Sequence, residues 1–482
     1  MNDFEKHLRE VGEVGFVERV NRAIVHVSGL PGAHPYEVVL MESGETGQVL
    51  SLGEELMEIL VFSNALPKVG TRVVRTGRSL AIPVGGELLG RTITPLGLPI
   101  FQKRQPVDVP PLGIATRRQI SRPLETGVTL VDFVIPLAMG QRELVIGDRK
   151  IGKTLFAFHV IRTQAKKGVV CIYAAIGKRK QDIKKAESVF REGGVRDRTV
   201  VVASSSEDAA GIIYLTPYTA MALAEHFRDE GQDVLVVLDD MTAHAKYYRE
   251  IALLAKRFPG RGSYPGDIFF AHSRLLERAG NFAYKNKEVS ITCLPIAETV
   301  QGDLAGYIQT NLMSMTDGHI FFDSDLFDKG RRPAVNTLLS VTRVGFQVQT
   351  PLLRSIGREV TKSLAQLERM QTFVHFGAEM TEGVRRALSS GEKLQHFFEQ
   401  FLGGDESVPP LNIKIVLLAL ILSGAWSRVA FGDMDRYIGK MISSYERDKS
   451  FRQEVDDLIN ASKSFQDLVA GIQQKGLLSR AG

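Results

Sequence analysis

The spacing of hydrophobic and polar positions changes twice along the chain. Before residue 83, short valine-rich runs alternate with turn formers, including residues 43–47 and 67–70. Several short strands at this spacing favour a small β-barrel. The predicted strands include residues 22–27, 36–41, 47–52 and 71–75.

From about residue 83, a proline-rich connection leads to alternating strand and helix patterns, which are typical of a parallel sheet in an α/β domain. The predicted strands are 169–174, 199–203, 233–238 and 289–294, and the predicted helices are 155–167, 178–191, 217–228 and 246–256.

From residue 351 onward, apolar residues recur at intervals of three and four, which predicts a separate helical bundle. Its predicted helices are 352–373, 381–389, 393–401, 411–423, 433–445 and 451–473. The chain is therefore predicted to be multidomain, with a barrel at 1–82, an α/β domain at 83–350 and a bundle at 351–482.

Composition narrows the class of protein. Of 482 residues, 44% are hydrophobic and 24% charged, and the net charge of +5 is spread without a long basic block, which argues against nucleic acid as a partner. Cys171 and Cys293 lie in apolar runs, so we expect buried thiols and a reducing compartment. No apolar run has the ~18 residues of a membrane span, and the longest, 413–425, is predicted to be a buried helix.

The strongest motif is Gly147-Asp148-Arg149-Lys150-Ile151-Gly152-Lys153-Thr154, which follows a strand-like Leu-Val-Ile and precedes a predicted helix. Gly147 and Gly152 permit turns that aim successive N–H groups at phosphates. Lys153 would reach the β- and γ-phosphates, and the Thr154 hydroxyl would bind Mg²⁺. The sequence thus predicts an ATP or ADP site. A coincidental surface loop is the alternative, and the strand and helix on either side argue against it.

Asp239 and Asp240 end a continuous apolar run. Ligands bind at the carboxyl ends of parallel strands, so we expect Asp239 to hold Mg²⁺ directly or through water. The alternative is that these acids only cap the next helix.

The order of barrel, RecA-like P-loop domain and helical bundle resembles the F-type ATP synthase α/β family. Local motifs resemble its α subunits over nearly the whole chain. They are the phosphate loop, Tyr264-Pro-Gly-Asp267, His272-Ser-Arg-Leu-Leu-Glu-Arg278, Glu298-Thr-x-x-Gly-Asp303, Thr316-Asp-Gly318, Arg332-Pro-Ala-Val-Asn336 and Ser340-Val-Thr-Arg-Val-Gly345. The resemblance implies a six-stranded barrel and a ring in which α alternates with β around γ.

Catalytic relatives carry a Glu in a Gly-Glu-Arg motif, and the matching stretch here is Gly177-Lys178-Arg179. An ammonium cannot accept a proton from water, so the resemblance implies nucleotide binding without turnover. Lys178 could pair with the nucleotide, pair with a nearby acid, or point to solvent.

The resemblance also implies roles near the subunit interface. Arg343 would act in trans on the γ-phosphate at the neighbouring β subunit, and Ser340 would support the interface. Arg332 would lie near the nucleotide pocket, and Gln400 would line the adenine pocket. The second adenine-pocket glutamine is replaced by Leu402, and Ile151 stands where many α subunits carry Thr.

The family usually docks the δ subunit and peripheral stalk through a longer N-terminal segment than the dozen residues before Val14, and residues 1–10 could form a short helix for this purpose. The resemblance places the chain at the cytoplasmic face of the membrane, attached only through the complex. Two alternatives are a homohexameric export ATPase, against which Lys178 argues, and a Rho-like RNA translocase. The barrel lacks the stacking aromatics that an RNA translocase would need.

Overall fold

The computed structural model describes residues 3–97, 103–375, 382–399 and 409–477. The chain forms two compact units. The first unit comprises residues 1–120, 139–149 and 164–317, and the second comprises 121–138, 150–163 and 318–482. The proposed domain limits at 82/83 and 350/351 stay predictions.

The first unit begins with a short helix and a closed six-stranded barrel, as predicted. Its elements are α1 (Asp3–Val11), β1 (Gly15–Asn21), β2 (Ile24–Ser28), β3 (Glu37–Met41), β4 (Thr46–Leu52), β5 (Met57–Val61) and β6 (Arg72–Ser79). The strand order is β1-β2-β5-β4-β3-β6, and β6 closes on β1. Alternate side chains such as Val25, Val39 and Ile59 face inward and form the barrel core.

The elements after the barrel show the alternation that the sequence predicts. In chain order they are β7 (Ala81–Pro83), β8 (Thr92–Ile93), β9 (Arg104–Pro106), β10 (Pro123–Leu124), α2 (Thr129–Val134), β11 (Leu137–Ala138), β12 (Glu143–Gly147), α3 (Lys153–Lys166), β13 (Val170–Lys178), α4 (Lys180–Glu192), β14 (Thr199–Ser205), α5 (Ala210–Asp229), β15 (Val234–Asp239), α6 (Met241–Leu254), α7 (Ile268–Leu276), β16 (Gly280–Tyr284), β17 (Lys287–Glu298), α8 (Tyr307–Met315), β18 (Gly318–Phe322), α9 (Ser324–Asp328), β19 (Val341–Thr342) and α10 (Gly345–Val348).

The central sheet of the first unit is parallel, in the order β12-β17-β15-β13-β14-β8, with β16 antiparallel to β17. Every residue of β15 is buried, because helices cover both faces of such a sheet. Both cysteines are buried thiols, Cys171 on β13 and Cys293 on β17, with β15 between these strands. The prediction of buried thiols is confirmed.

Three predicted helix starts in this unit are wrong. The helix predicted from residue 246 begins at Met241, directly after the Asp240 cap. Residue 178 was assigned to a helix, but Lys178 is the last residue of β13 and α4 begins at Lys180. The helix predicted from Pro217 begins at Ala210, and Pro217 lies inside it. Proline is common in the first turn of a helix, which is why the sequence favoured the later start.

The second unit contains the β18–β19 hairpin and a set of helices after residue 350, as predicted. These helices are α11 (Pro351–His375), α12 (Glu382–Glu399), α13 (Leu411–Leu422), α14 (Phe431–Arg447), α15 (Lys449–Ala461) and α16 (Phe465–Gln474). In α13 every residue from Ile413 to Ile421 is buried, which confirms the predicted buried helix.

Two helix predictions in the bundle are wrong. Residues 381–389 and 393–401 were predicted as separate helices, but α12 runs through both within its described limits. Gly391, read as a break, instead lets the helices approach: a Cβ there would lie 2.8 Å from Leu367 Cβ. The helix predicted at 451–473 is in fact two helices, α15 and α16, because Ser464 caps the start of α16. Among the described residues, no helix is both long and apolar enough to cross a membrane.

Candidate nucleotide-binding site

The loop between β12 and α3 has the backbone of a phosphate-binding loop. Lys150 and Gly152 have φ angles of 65° and 106°, in the left-handed region that brings successive N–H groups to one side. Because α3 begins at Lys153, its first N–H groups have no carbonyl partner within the helix. This helix N-terminus suits an anion. Lys153 is buried and Thr154 is half-buried.

The first part of the loop is anchored by the residues that follow β17. The Asp148 carboxylate accepts hydrogen bonds from Thr299 Oγ1 at 2.5 Å and from Gly302 N–H at 3.0 Å. The Thr299 N–H donates to the Gly147 carbonyl at 3.0 Å. Arg149 pairs with Glu298 through a 2.7 Å contact. The side chains of Asp148 and Arg149 therefore position this part of the loop.

Sequence reasoning did not assign this anchoring role. The Glu298-Thr-x-x-Gly-Asp303 motif supported the resemblance, but the motif alone gave no contact to the loop. The contact arises because β17 is the parallel neighbour of β12, with Gly147 opposite Glu298. Both motifs were visible in the sequence. The sequence did not show that the strands ending in them are neighbours in the sheet.

At the end of β15, Asp239 is 1% exposed and lies in a polar cluster. Its Oδ1 is 2.5 Å from Lys178 Nζ, and its Oδ2 accepts a hydrogen bond from the Tyr173 hydroxyl at 2.8 Å. Lys178 Nζ also lies 3.4 Å from Asp240 Oδ2. Of the three possibilities for Lys178, the structure shows the one in which it pairs with a nearby acid.

The contacts with Asp239 and Asp240 keep the Lys178 amine protonated. Burial lowers the pKa of its amine, but Asp239 and Asp240 outweigh burial and raise the pKa above its ordinary value. Asp240 also caps α6, since its Oδ1 accepts a hydrogen bond from the Ala243 N–H at 2.6 Å. The Lys178 amine therefore stays a charged ammonium beside the two carboxylates.

Asp239 was predicted to hold Mg²⁺. With protein donors on both of its oxygens, this carboxylate fits a contact to the metal through water better than direct coordination. Sequence reasoning missed Tyr173, because a tyrosine inside an apolar strand carries no sign that its hydroxyl meets an acid on the neighbouring strand.

In the second unit, the segment around Arg343 has a fixed backbone and an exposed side chain. Ser340 Oγ donates to the Asn336 carbonyl at 2.6 Å and accepts from the Phe321 N–H at 2.9 Å. Thr342 Oγ1 donates to the Pro136 carbonyl at 2.9 Å. Arg343 is exposed. The Arg343 side chain therefore lies in solvent, next to a hairpin whose backbone is fixed by these hydrogen bonds.

The motif at residues 340–345 ends in glycine because a larger residue does not fit at Gly345. A Cβ at Gly345 would lie 1.6 Å from the Pro136 carbonyl oxygen, so no other residue fits without movement of the backbone. The Gly345 N–H also donates to Thr342 Oγ1 at 3.2 Å. The segment therefore has little freedom on either side of Arg343.

Arg332 lines a shallow cleft in the second unit. Its guanidinium stacks 3.6 Å from the centroid of the Phe327 ring and donates to the Phe327 carbonyl at 2.9 Å. Gln395 and Glu399 of α12 also line the cleft. Gln400 and Leu402, predicted at the adenine pocket, lie outside the described residues.

A parallel sheet, a phosphate loop that opens a helix, and acids at the end of a buried strand define a P-loop nucleotide-binding protein. The family model "ATP synthase alpha/beta family, nucleotide-binding domain" matches residues 127–342. The ATP synthase subunit alpha of Petrotoga mobilis is 36% identical over 97% of this chain and 93% of its own length. The subunit alpha of Caldanaerobacter subterraneus subsp. tengcongensis is 40% identical, covering 81% and 79%. The chain belongs to the ATP synthase alpha/beta family, which confirms the predicted resemblance.

Proposed function

We propose that this chain is a non-catalytic, nucleotide-binding α-type subunit of a rotary ATP synthase. The observation that carries the non-catalytic role is Lys178, whose ammonium lies 2.5 Å from Asp239 Oδ1 at the place of the catalytic carboxylate. A charged ammonium cannot take a proton from the attacking water, and loss of such a base typically costs about 10²- to 10⁴-fold in rate.

ATP or ADP binds at Gly147 to Thr154, where the loop N–H groups and Lys153 hold the phosphates and Arg332 contributes to the nucleotide pocket. Mg²⁺ would neutralise phosphate charge there. Thr154 would offer its hydroxyl and Asp239 a contact through water.

Arg343 acts in trans on the catalytic site of a β subunit, and Ser340 keeps the hairpin in place. A planar, permanently charged guanidinium suits charge that develops on a transferring phosphoryl group. The exposure of Arg343 on a braced backbone supports this role.

In this proposal the chain alternates with β around γ, contacts δ and the peripheral stalk, and lies at the cytoplasmic face of a membrane through the complex. ATP synthesis on β is coupled there to proton or sodium movement.

The test compares the purified chain with the reconstituted complex. Alone, it should bind ATP in equilibrium dialysis and show no sustained hydrolysis. In the complex, Arg343→Ala should lower hydrolysis by about 10³- to 10⁵-fold and leave ATP binding to this chain unchanged. Arg447→Ala, at an exposed arginine that ends α14, is the matched control and should not change the rate. Sustained hydrolysis by the chain alone would contradict the proposal and favour a homohexameric motor.

A further inference from the structure

His319 lies on β18, beside the segment of the second unit that carries Arg343. β18 and β19 pair in antiparallel fashion, with His319 opposite Val341 and Gly318 opposite Thr342. Residues directly opposite each other share a face, and successive side chains of a strand alternate between faces. Thr342 is buried, whereas Val341 and Arg343 are exposed. The side chains of His319, Val341 and Arg343 therefore lie on one face of the hairpin, which we call its outward face.

The His319 ring is tied to the backbone just before β19. Its Nε2 lies 2.8 Å from the Leu339 carbonyl oxygen, and because a carbonyl only accepts hydrogen bonds, Nε2 carries the proton and donates. Burial lowers the pKa of this imidazole below its ordinary value, the bond to Leu339 opposes that shift, and the charge of Arg343 adds to it. At neutral pH the ring is therefore uncharged, with its proton on Nε2.

The bond to Leu339 adds a fixed point to the backbone before Arg343. Ser340 Oγ donates to the Asn336 carbonyl at 2.6 Å, and Thr342 Oγ1 donates to the Pro136 carbonyl at 2.9 Å. Thr342 points away from the outward face, because it is buried. The bond from His319 is made on the outward face, where Arg343 also lies.

This segment also exposes large apolar side chains just before Arg343. Leu338, Leu339 and Val341 are 61%, 49% and 41% exposed. Such a cluster is typical of a surface that a partner covers. A hydrogen bond from a neutral imidazole suits a covered surface, because it strengthens when water is excluded and requires no charge to lose its hydration.

We propose that His319 is a positioning residue for Arg343: by holding the Leu339 carbonyl, it fixes the direction in which the guanidinium reaches the neighbouring subunit. This inference rests on the proposed action of Arg343 in trans. His319 itself touches neither the nucleotide nor the reacting phosphate. Misplacement of a catalytic group by about 1 Å can cost about 10²-fold in rate, so loss of this bond should be visible in kcat.

The first experiment tests the contact in the isolated chain, without any reaction. Proton–nitrogen NMR correlations of the full chain with isotope-labelled histidine give the tautomer and pKa of each ring, and His319→Gln identifies the signal of His319. We expect the proton on Nε2 at neutral pH. Arg343→Ala removes a like charge about 7 Å away and should raise the pKa of His319 by about 0.4 at low ionic strength. Arg447→Ala should leave it unchanged.

The second experiment measures ATP hydrolysis by the reconstituted complex. In His319→Asn the amide nitrogen takes the place of Nδ1 and cannot reach Leu339, so kcat should fall about tenfold or more while KM stays within about twofold. In His319→Gln the amide nitrogen takes the place of Nε2, and kcat should stay within about twofold of the wild type. His34→Asn, at an exposed histidine between β2 and β3, is the matched control and should not change the rate.

The outcomes separate the inference from the proposed function. If Arg343→Ala leaves the rate unchanged, the proposed role in trans fails, and the inference fails with it. If Arg343→Ala lowers the rate but His319→Asn does not, or if the Asn and Gln variants lose equally, the positioning role is overturned and the role of Arg343 stands. In an Arg343→Ala background, His319→Asn should cause no further loss. Should His319→Asn not assemble, His319→Leu, which fills a similar volume without a donor, takes its place.

Discussion

Lys414 is a charged residue in a fully buried position. Its side chain is fully buried on α13, with Nζ 3.6 Å from Asp132 Oδ2 and 3.8 Å from Glu125 Oε1. Asp132 Oδ1 accepts from the Thr126 N–H and hydroxyl, both at 2.6 Å. A charge in such a place is tolerated only with a partner, so Lys414 and Asp132 stabilise each other.

Replacing Lys414 alone should therefore be costly. We expect Lys414→Met to lower the free energy of unfolding by about 3–5 kcal/mol, because Asp132 is left buried without its cation. Urea denaturation followed by the fluorescence of Trp426, the only tryptophan and a buried residue of the same unit, measures this. Lys414→Met with Asp132→Asn should recover most of the loss, and the exposed Lys449→Met should change little.

The loss in Lys414→Met should also depend on pH. Burial raises the pKa of Asp132, with Lys414 opposing the shift and Glu125 adding to it. A carboxyl with a raised folded-state pKa favours folding below its unfolded pKa of 3.8, and that stability is lost as pH rises through the folded value. The deficit of Lys414→Met should thus shrink as pH falls from 8 toward about 4. A deficit that stays constant over this range would show that charge is not its cause.

The residues of the phosphate loop could be predicted because their conformation is local: two glycines, a lysine and a threonine between a strand and a helix suffice. The partner of Lys178 could not be predicted from the sequence. Its contact with Asp239 depends on which strands are neighbours and on a register shift in β13, and neither is encoded in the spacing of residues. The sequence therefore left three possibilities for Lys178, between which the strand pairing decides.

At the scale of elements, α15 and α16 show how a polar residue divides an amphipathic pattern. Apolar spacing continues from 451 to 473, which predicted one helix. Ser464 nevertheless begins α16 with a capping box: its Oγ accepts from the Asp467 N–H at 3.2 Å, and Asp467 Oδ2 accepts from the Ser464 N–H at 3.0 Å. The Ser-x-x-Asp signature was present in the sequence but was outweighed by the period.

Removing this cap gives a prediction for the element. Ser464→Ala loses the acceptor for the Asp467 N–H and should lower the free energy of unfolding by about 1 kcal/mol. Ser464→Thr keeps a hydroxyl at the same place and should lose less than half as much. The readout is again the Trp426 urea transition. Equal losses in the two variants would mean that α16 is held by packing and that the cap contributes nothing measurable.

At the scale of the molecule, the order of barrel, α/β domain and helices followed from changes in hydrophobic period, since each period is a local property of the chain. The closure of the barrel in the order β1-β2-β5-β4-β3-β6 did not, because it joins strands that are distant in sequence. The six-stranded count came from the resemblance alone. Local periodicity thus predicts the secondary-structure elements and their order. The sheet edges at which a site can form depend on pairing between strands that are distant in sequence.

The two buried thiols offer a test of how nucleotide binding couples to this sheet. Cys171 and Cys293 lie on β13 and β17 with no exposed surface, and burial raises the pKa of the Cys293 thiol to about 12. Ellman's reagent should therefore react with neither thiol in the native chain and with both in denaturant. Labelling then requires the sheet to open. ATP at 100 times its Kd should slow labelling about 100-fold, because it binds only the closed form.

The decisive comparison uses two lysines of α3. Lys153→Ala removes the phosphate contact and should abolish the protection by ATP, with little effect on labelling in its absence. Lys166→Ala, at the exposed far end of the same helix, should keep the protection. If ATP binds but does not slow labelling, the cysteines are reached through an opening that leaves the loop intact. The sheet edge at β12 would then not be coupled to the strands that carry the thiols.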